Sequence, residues 1–132
     1  MTLSSEQSLP VVNSYNEWDP LEEVILGIVD RACVPLWDVT LEATMPLEQR
    51  DFYLKFGGQP FPQPQVAAAN RDLQEFAHIL EAEGVIVRRP EVVDHARGFR
   101  TPVWESPCGL YGAMPRDGLL VVGDEIIEAP MA

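Results

Sequence analysis

The chain has 132 residues, 46% of them hydrophobic, and a formal net charge of −12, which is enough length and apolar content for one globular domain. Of its nine basic residues only Lys55 is a lysine, so no basic patch is available to neutralise a run of phosphates. This balance excludes nucleic acid and anionic membrane surfaces as expected partners.

The N-terminal residues and the cysteines bear on the cellular compartment. Residues 1–10 contain no Lys or Arg and no apolar core, so neither a secretory signal nor an arginine-rich transit peptide is predicted. No later apolar run approaches membrane-spanning length. Cys33 and Cys108 lie far apart in sequence and are interpreted as reduced thiols. The expected location is the cytoplasm.

The first part of the chain predicts a tail, a turn and a strand. Residues 1–14 are polar and Ser-rich, and are expected to form a disordered tail before a domain at 15–132. Residues 16–20 end in Asp-Pro and predict a turn. A buried strand is expected at 23–29, where Gly27 indicates a bulge or a close neighbour.

Residues 31–39 predict an irregular packed loop. Cys33 in this loop is a candidate nucleophile, but no histidine lies near it in sequence. We therefore interpret its thiol as a small buried hydrophobe.

Two helices are predicted in the middle of the chain. The first spans 46–56, with Pro46 at its start and Gly57-Gly58 as its stop. Residues 59–64 are Pro-rich and predict an extended connector. The second helix spans 65–84, because its apolar residues recur every three or four positions and Gly84 can form its left-handed cap.

A strand at 85–87 follows the second helix directly. Arg88 and Arg89 end this strand and could bind a carboxylate substrate, although pairing with the surplus acidic side chains is the interpretation we favour. His95 adjoins Asp94 in a predicted loop, but two neighbouring residues do not form a catalytic dyad without a third group. The scattered His and Cys residues provide no metal site.

The last part of the chain predicts a hairpin preceded by a carboxylate. Residues 119–122 are four consecutive branched residues and predict a strand buried on both faces. Gly123-Asp124 favours a two-residue loop with positive φ at its first position, so 125–129 should return antiparallel before Pro130. Asp117, just before the first strand, could accept two parallel bonds from a guanidinium. Its alternative role is ordinary Asp-Gly turn chemistry, in which the carboxylate binds local N–H groups.

Several longer motifs give the chain a family resemblance. They are Tyr-Asn-Glu-Trp-Asp-Pro-Leu-Glu-Glu-Val-Ile at 15–25, Ala-Cys-Val-Pro at 32–35, Glu-Gly-Val-Ile-Val-Arg-Arg-Pro at 83–90, Met-Pro-Arg-Asp at 114–117 and Val-Gly-Asp-Glu-Ile-Ile-Glu-Ala-Pro-Met-Ala at 122–132. In this order they closely resemble the N-terminal portion of the glycine amidinotransferase family. The pattern departs at Val103, where the family commonly has an acidic residue, and at Pro107-Cys108, which lengthens the link. No substrate contact is therefore assigned to residues 103–108.

The resemblance implies an α/β fold: an incomplete N-terminal part of the five-fold pseudosymmetric α/β propeller (pentein-like) shared with arginine deiminases. It also implies transfer of an amidino group from arginine to an amine through a covalent amidino-cysteine, without a cofactor. Asp117 matches the family's early arginine-binding aspartate. The nucleophilic cysteine and the histidine are expected beyond residue 132, so no catalytic residue is assigned in this chain and the chain alone is expected to be inactive.

The acceptor and the state of the chain are left open by the sequence. Glycine, giving guanidinoacetate, and an amine of a guanidino natural-product pathway are both compatible with the motifs. The alternative functions are a guanidine hydrolase of the same fold and a truncated, non-catalytic module that binds a partner through an open sheet edge. The expected partners are small molecules, arginine and the amine, and homo-oligomerisation is left open.

Overall fold

The computed structural model describes residues 12–129, which form six short strands, three α-helices and two 3-10 turns, the longest helix having 20 residues. The elements in chain order are β1 (Glu23–Ile25), α1 (Val39–Thr44), α2 (Arg50–Phe56), α3 (Gln63–Ala82), β2 (Ile86–Arg88), β3 (Phe99–Arg100), β4 (Glu105–Ser106), β5 (Leu119–Val122) and β6 (Glu125–Glu128), with 3-10 turns at Leu47–Gln49 and Pro115–Asp117. The described strands pair two by two: β1 with β2 in parallel, and β3 with β4 and β5 with β6 antiparallel.

The helix α3 connects the parallel strands β1 and β2, as the apolar periodicity predicts. It begins at Gln63, two residues before the predicted start, because Pro64 in the first turn lacks an N–H that would need a partner there. Gly84 has a φ of 84° and caps the helix, and Val85 N–H donates to the Leu80 carbonyl at 3.0 Å. The chain therefore enters β2 directly after the helix.

The most buried part of the chain is residues 26–34, which we call the core segment. Cys33 and Val34 are 0% and 1% exposed, so the prediction of a packed loop with a buried Cys33 is confirmed. Its N–H groups donate to carbonyls of distant segments: Leu26 to Arg88 (2.9 Å), Ile28 to Gly112 (3.0 Å), Cys33 to Leu110 (2.8 Å) and Val34 to Gln59 (2.8 Å). The core segment thus joins β2, the segment 110–112 and the loop before α3.

The hairpin at the C-terminal end has the predicted turn but not the predicted burial. Val122 pairs with Glu125 across the loop, and Gly123 has a φ of 62°, which confirms the two-residue turn. The prediction that 119–122 is buried on both faces is wrong for this chain, since Leu120 and Val122 are 56% and 54% exposed. Among the described strands β5 pairs only with β6, so apolar residues that predict burial face solvent. The predicted end at Pro130 lies outside the described residues.

The predicted tail at 1–14 extends too far at its C-terminal end. Residues 1–11 lie outside the described part, but Ser14 exchanges two backbone hydrogen bonds with Gly123, at 2.8 and 2.7 Å. Ser14 therefore belongs to the folded part. The predicted turn at 16–20 is confirmed, because Asn16 Oδ1 accepts from the N–H groups of Trp18 and Asp19 at 3.1 and 2.9 Å.

Two elements are absent from the sequence prediction. Asp38 caps α1, its Oδ1 accepting from the N–H groups of Thr40 and Leu41 at 3.0 Å. The hairpin β3–β4 turns at Thr101, which bonds to Trp104 through both its N–H (2.8 Å) and its hydroxyl (3.1 Å). Both elements are short, and hydrogen bonds from local side chains define them.

Among the helices at residues 12–129, none has the length and apolar character that a membrane span requires.

Two adjacent arginines at the end of β2 serve different contacts. Arg88 pairs with Glu23 across β1–β2, as the prediction of acidic partners requires. Arg89 instead donates to two backbone carbonyls, Gly27 at 2.7 Å and Leu73 at 3.0 Å. Arg89 therefore joins the core segment to α3, and the prediction of an acidic partner is wrong for it.

The role of Arg89 can be tested against that of Arg88. We expect Arg89→Met to lower the free energy of unfolding by about 1–2 kcal/mol, because two charge-assisted bonds to backbone carbonyls are lost. Arg88→Met, which removes an exposed ion pair, should cost about 0–1 kcal/mol. Urea unfolding of both variants checks the order, and equal losses would contradict the assignment.

Gly27 provides a second test of the packing. A Cβ at this position would overlap the backbone carbonyls of Gly112 and Ala113. We expect Gly27→Ala to lower the free energy of unfolding by about 1–3 kcal/mol, since backbone must move to admit the methyl group. The matched control is Gly118→Ala, where a Cβ would meet nothing within 4 Å. Urea midpoints that fall equally for both variants would contradict the contact.

Candidate functional site

Asp117 lies in a short turn that is mounted on the core segment. Gly112 accepts the hydrogen bond from Ile28, and the carbonyl of Ala113 lies against Gly27. The chain then forms the 3-10 turn Pro115–Asp117, in which Asp117 N–H donates to the Met114 carbonyl at 3.1 Å. The backbone that carries Asp117 is therefore held on one side by the core segment and on the other by β5.

The Asp117 side chain is exposed, and its carboxylate forms no hydrogen bond or ion pair with any residue from 12 to 129. In the Asp-Gly turn alternative the carboxylate would bind local N–H groups, and such bonds are not found in this part of the chain. Gly118 N–H donates to the Pro115 carbonyl at 3.2 Å instead. No group within residues 12–129 therefore occupies either carboxylate oxygen.

Asp117 does not line either of two hollows on the described surface. One lies between residues 14–17 and 121–125, and the other, which is apolar, lies between the core segment and the start of α3, beside Tyr111. The Asp117 side chain is exposed at the surface of residues 12–129.

The two cysteines, which are distant in sequence, lie side by side in space. Cys33 is fully buried in the core segment, and Cys108 is half-buried two residues before Leu110, the acceptor of the Cys33 N–H. Burial, with smaller effects of the Cys108 thiol and the Asp94 carboxylate, raises the pKa of Cys33. A buried thiol with a raised pKa is a poor nucleophile, so Cys33 is unsuited to attack a substrate.

His95 packs against the segment that contains Cys108. Its backbone carbonyl accepts a hydrogen bond from the Gly109 N–H at 2.8 Å. Its ring lies close to Gly109, so that a Cβ added there would be 2.7 Å from the His95 Nδ1. Burial lowers the pKa of His95, opposed by the adjacent Asp94. Asp94 Oδ1 accepts from Ala96 N–H at 3.2 Å rather than from the imidazole, so these neighbours do not form a dyad.

No group of three or more potential metal ligands is placed to hold an ion within 12–129.

Comparison with known sequences gives close relatives over nearly the whole chain. It is 51% identical over 126 residues to the L-arginine:L-lysine amidinotransferase of Pseudomonas savastanoi pv. phaseolicola, covering 96% of this chain and 34% of the relative. It is 54% identical over 121 residues to the mitochondrial glycine amidinotransferase of Gallus gallus, covering 92% and 28%. No family model matches the sequence.

Comparison with solved structures agrees. The chain superimposes with a TM-score of 0.78 and 51% identity on SxtG, an amidinotransferase of the saxitoxin biosynthetic pathway from Microseira wollei, covering 91% of this chain and 35% of the other. The inosamine-phosphate amidinotransferase StrB1 of Streptomyces griseus gives a TM-score of 0.77 at 39% identity, covering 94% and 35%.

These matches confirm the predicted pentein-like α/β class, of which the chain forms an incomplete part. The chain spans about a third of the length of the relatives it matches. It belongs to the amidinotransferase family and corresponds to an N-terminal portion of its members.

Proposed function

We propose that this chain supplies an arginine-binding carboxylate, Asp117, to an enzyme that transfers the amidino group of arginine to an amine. The observation that carries the proposal is the state of Asp117. Its side chain is exposed and has no partner within the described residues. The backbone of Ala113, two residues before the turn Pro115–Asp117, is held against Gly27. The family membership supplies the reaction class.

The chemistry of a carboxylate suits this role. A guanidinium is planar and presents parallel N–H groups, and a carboxylate can accept two of them at once. The 3-10 turn and the start of β5 limit the backbone freedom of Asp117. A carboxylate held in this way selects a flat cation with two adjacent donors over a rounded ammonium ion.

The transfer step requires a nucleophile that the described residues do not offer in a suitable form. In the proposed reaction a thiolate attacks the guanidino carbon of arginine, ornithine leaves, and the acceptor amine then takes the amidino group from sulfur. Cys33 is fully buried with a raised pKa, and neither Cys33 nor Cys108 lies in the turn that holds Asp117. We therefore assign the reacting cysteine and its proton-transferring histidine to polypeptide other than residues 1–132.

The acceptor amine differs among the relatives. Their names specify lysine, glycine and inosamine phosphate as partners of the reaction, and a further relative acts in a natural-product pathway. All four are named as amidinotransferases, and one name gives arginine as well. A guanidinium-binding carboxylate would serve the amidino donor in such a transfer. The proposal for this chain is accordingly limited to the amidino donor.

A second candidate is a non-catalytic module that binds a partner through the β5–β6 hairpin. The hairpin exposes large apolar residues, among them Leu120, Val122 and Ile127, and it pairs with no other described strand. The family match favours the enzymatic proposal. A hydrolase of the same fold is distinguished from a transferase by its product, citrulline in place of ornithine.

The activity of the chain by itself is a direct test. We expect no ornithine when residues 1–132 are incubated with arginine and either glycine or lysine, because the reacting thiol is assigned elsewhere. Amino-acid analysis by mass spectrometry measures ornithine and citrulline together. Ornithine release that is lost in Cys108→Ser or Cys33→Ser would contradict the assignment.

The role of Asp117 is testable in a longer polypeptide that joins this chain to the reacting cysteine. We expect Asp117→Ala to lower kcat/KM for arginine about tenfold or more, since a hydrogen bond to a charged group contributes about 1.5–3 kcal/mol. Asp124→Ala is the control, because Asp124 is an exposed carboxylate at the opposite end of β5. Steady-state kinetics with equal losses for both variants would remove Asp117 from the site.

A further inference from the structure

We propose that Cys33 and Cys108 form a reversible redox site, in which a hydroperoxide oxidises the pair to an intramolecular disulfide. This site is separate from the proposed amidino transfer, and its argument does not depend on that function. It rests on three features of the described residues: the adjacency of the two thiols, the fixed backbone on both sides of Cys108, and the unequal exposure of the two sulfurs.

The adjacency follows from the backbone pairing of the core segment. Cys33 N–H donates to the Leu110 carbonyl at 2.8 Å, which places residue 108 within two residues of a direct backbone contact. The Cys33 thiol lies beside the Cys108 thiol. A disulfide needs two backbones that already run close together, and the bond from Cys33 to Leu110 brings the backbone of one cysteine close to that of the other.

The backbone around Cys108 is held in place. Ser106 Oγ donates to the Cys108 carbonyl at 2.6 Å, and Gly109 N–H donates to the His95 carbonyl at 2.8 Å. The His95 ring fills the space beside Gly109. Cys108 is therefore confined near Cys33, and its thiol is not on a freely moving loop.

The difference in exposure gives the two thiols different roles. Cys108 is half-buried and open to a small oxidant, whereas Cys33 is 0% exposed. Cys108 first gives its proton to water, and its thiolate attacks the terminal oxygen of the hydroperoxide. The O–O bond breaks, a sulfenic acid forms, and the departing alkoxide or hydroxide takes a proton from the solvent to become an alcohol or water. The Cys33 sulfur then displaces the hydroxyl group from Cys108 and loses its proton to the departing hydroxide. One disulfide and one further water form, so that two thiols are oxidised and one peroxide is reduced.

The burial of Cys33 favours this order of events. Its raised pKa keeps it protonated and unreactive toward an oxidant from solvent. It reacts only with a sulfur that is already beside it. The local environment thereby directs the sulfenic acid on Cys108 toward the disulfide before further oxidation or reaction with a second molecule.

Peptide mapping of the whole chain tests the proposal. The chain is treated with hydrogen peroxide, blocked with N-ethylmaleimide and cleaved with trypsin under non-reducing conditions. We expect the peptides 32–50 and 101–116, which contain Cys33 and Cys108, to be joined with the loss of two hydrogen atoms in a monomer, and to separate after dithiothreitol. Absence of the joined peptide, or a disulfide found only between two molecules, would overturn the proposal.

Two variants separate the roles of the thiols. In Cys33→Ala we expect dimedone to label Cys108 after peroxide, because the sulfenic acid has no second thiol to react with. In Cys108→Ser we expect Cys33 to stay a free thiol that N-ethylmaleimide labels only after unfolding in urea. Labelling of Cys33 by dimedone in folded Cys108→Ser would overturn the order of reaction. Since a variant can fail to fold, the mapping of the unchanged chain decides the existence of the site by itself.

Discussion

The backbone hydrogen bonds of the core segment, residues 26–34, hold the described part of the molecule together. They connect β2, the segment 110–112 and the loop before α3 to one buried stretch. Because both donor and acceptor are main-chain groups, leaving one unpaired in this buried region would cost more than the loss of a typical surface contact. Arg89 adds a side-chain link from the same segment to α3. The helix, the parallel strand pair and the chain leading to Asp117 are therefore positioned by one common support.

This arrangement holds the backbone that leads to Asp117 without burying its carboxylate. Asp117 itself has no partner among residues 12–129, but the backbone before it is fixed where Ala113 lies against Gly27. Gly27 is required there because any Cβ would meet backbone atoms, and not because its φ is unusual. The backbone position of residue 117 thus depends on a contact between two main chains several residues away.

The features that sequence reasoning predicted correctly are those determined by nearby residues. Gly84 and Gly123 have the positive φ that their turns need, and the period of apolar residues in α3 needs no information from elsewhere in the chain. Asp38 carries a usable signal for α1, because aspartate before a helix is a preferred cap. The burial of β5 could not be predicted reliably, since burial depends on which other elements cover a strand. The adjacency of Cys33 and Cys108 is likewise a tertiary fact with no local signature, and the role proposed for Asp117 came from family resemblance, because spacing alone left the turn alternative open.

The pairing of strands that are far apart in sequence has a consequence for the order of folding. Glu23 pairs with Ile86, Ile28 bonds to Gly112, and Ser14 bonds to Gly123. Whereas β3–β4 and β5–β6 are local hairpins, these contacts close long loops. Such topologies fold slowly, because chain entropy is lost before the contacts that compensate for it are made. During synthesis on the ribosome β1 must wait for α3 and β2 to emerge, and the segment with Asp117 emerges later still. The apolar residues of β1 therefore stay unpaired on the nascent polypeptide until β2 has left the ribosome, an interval in which chaperones could bind them.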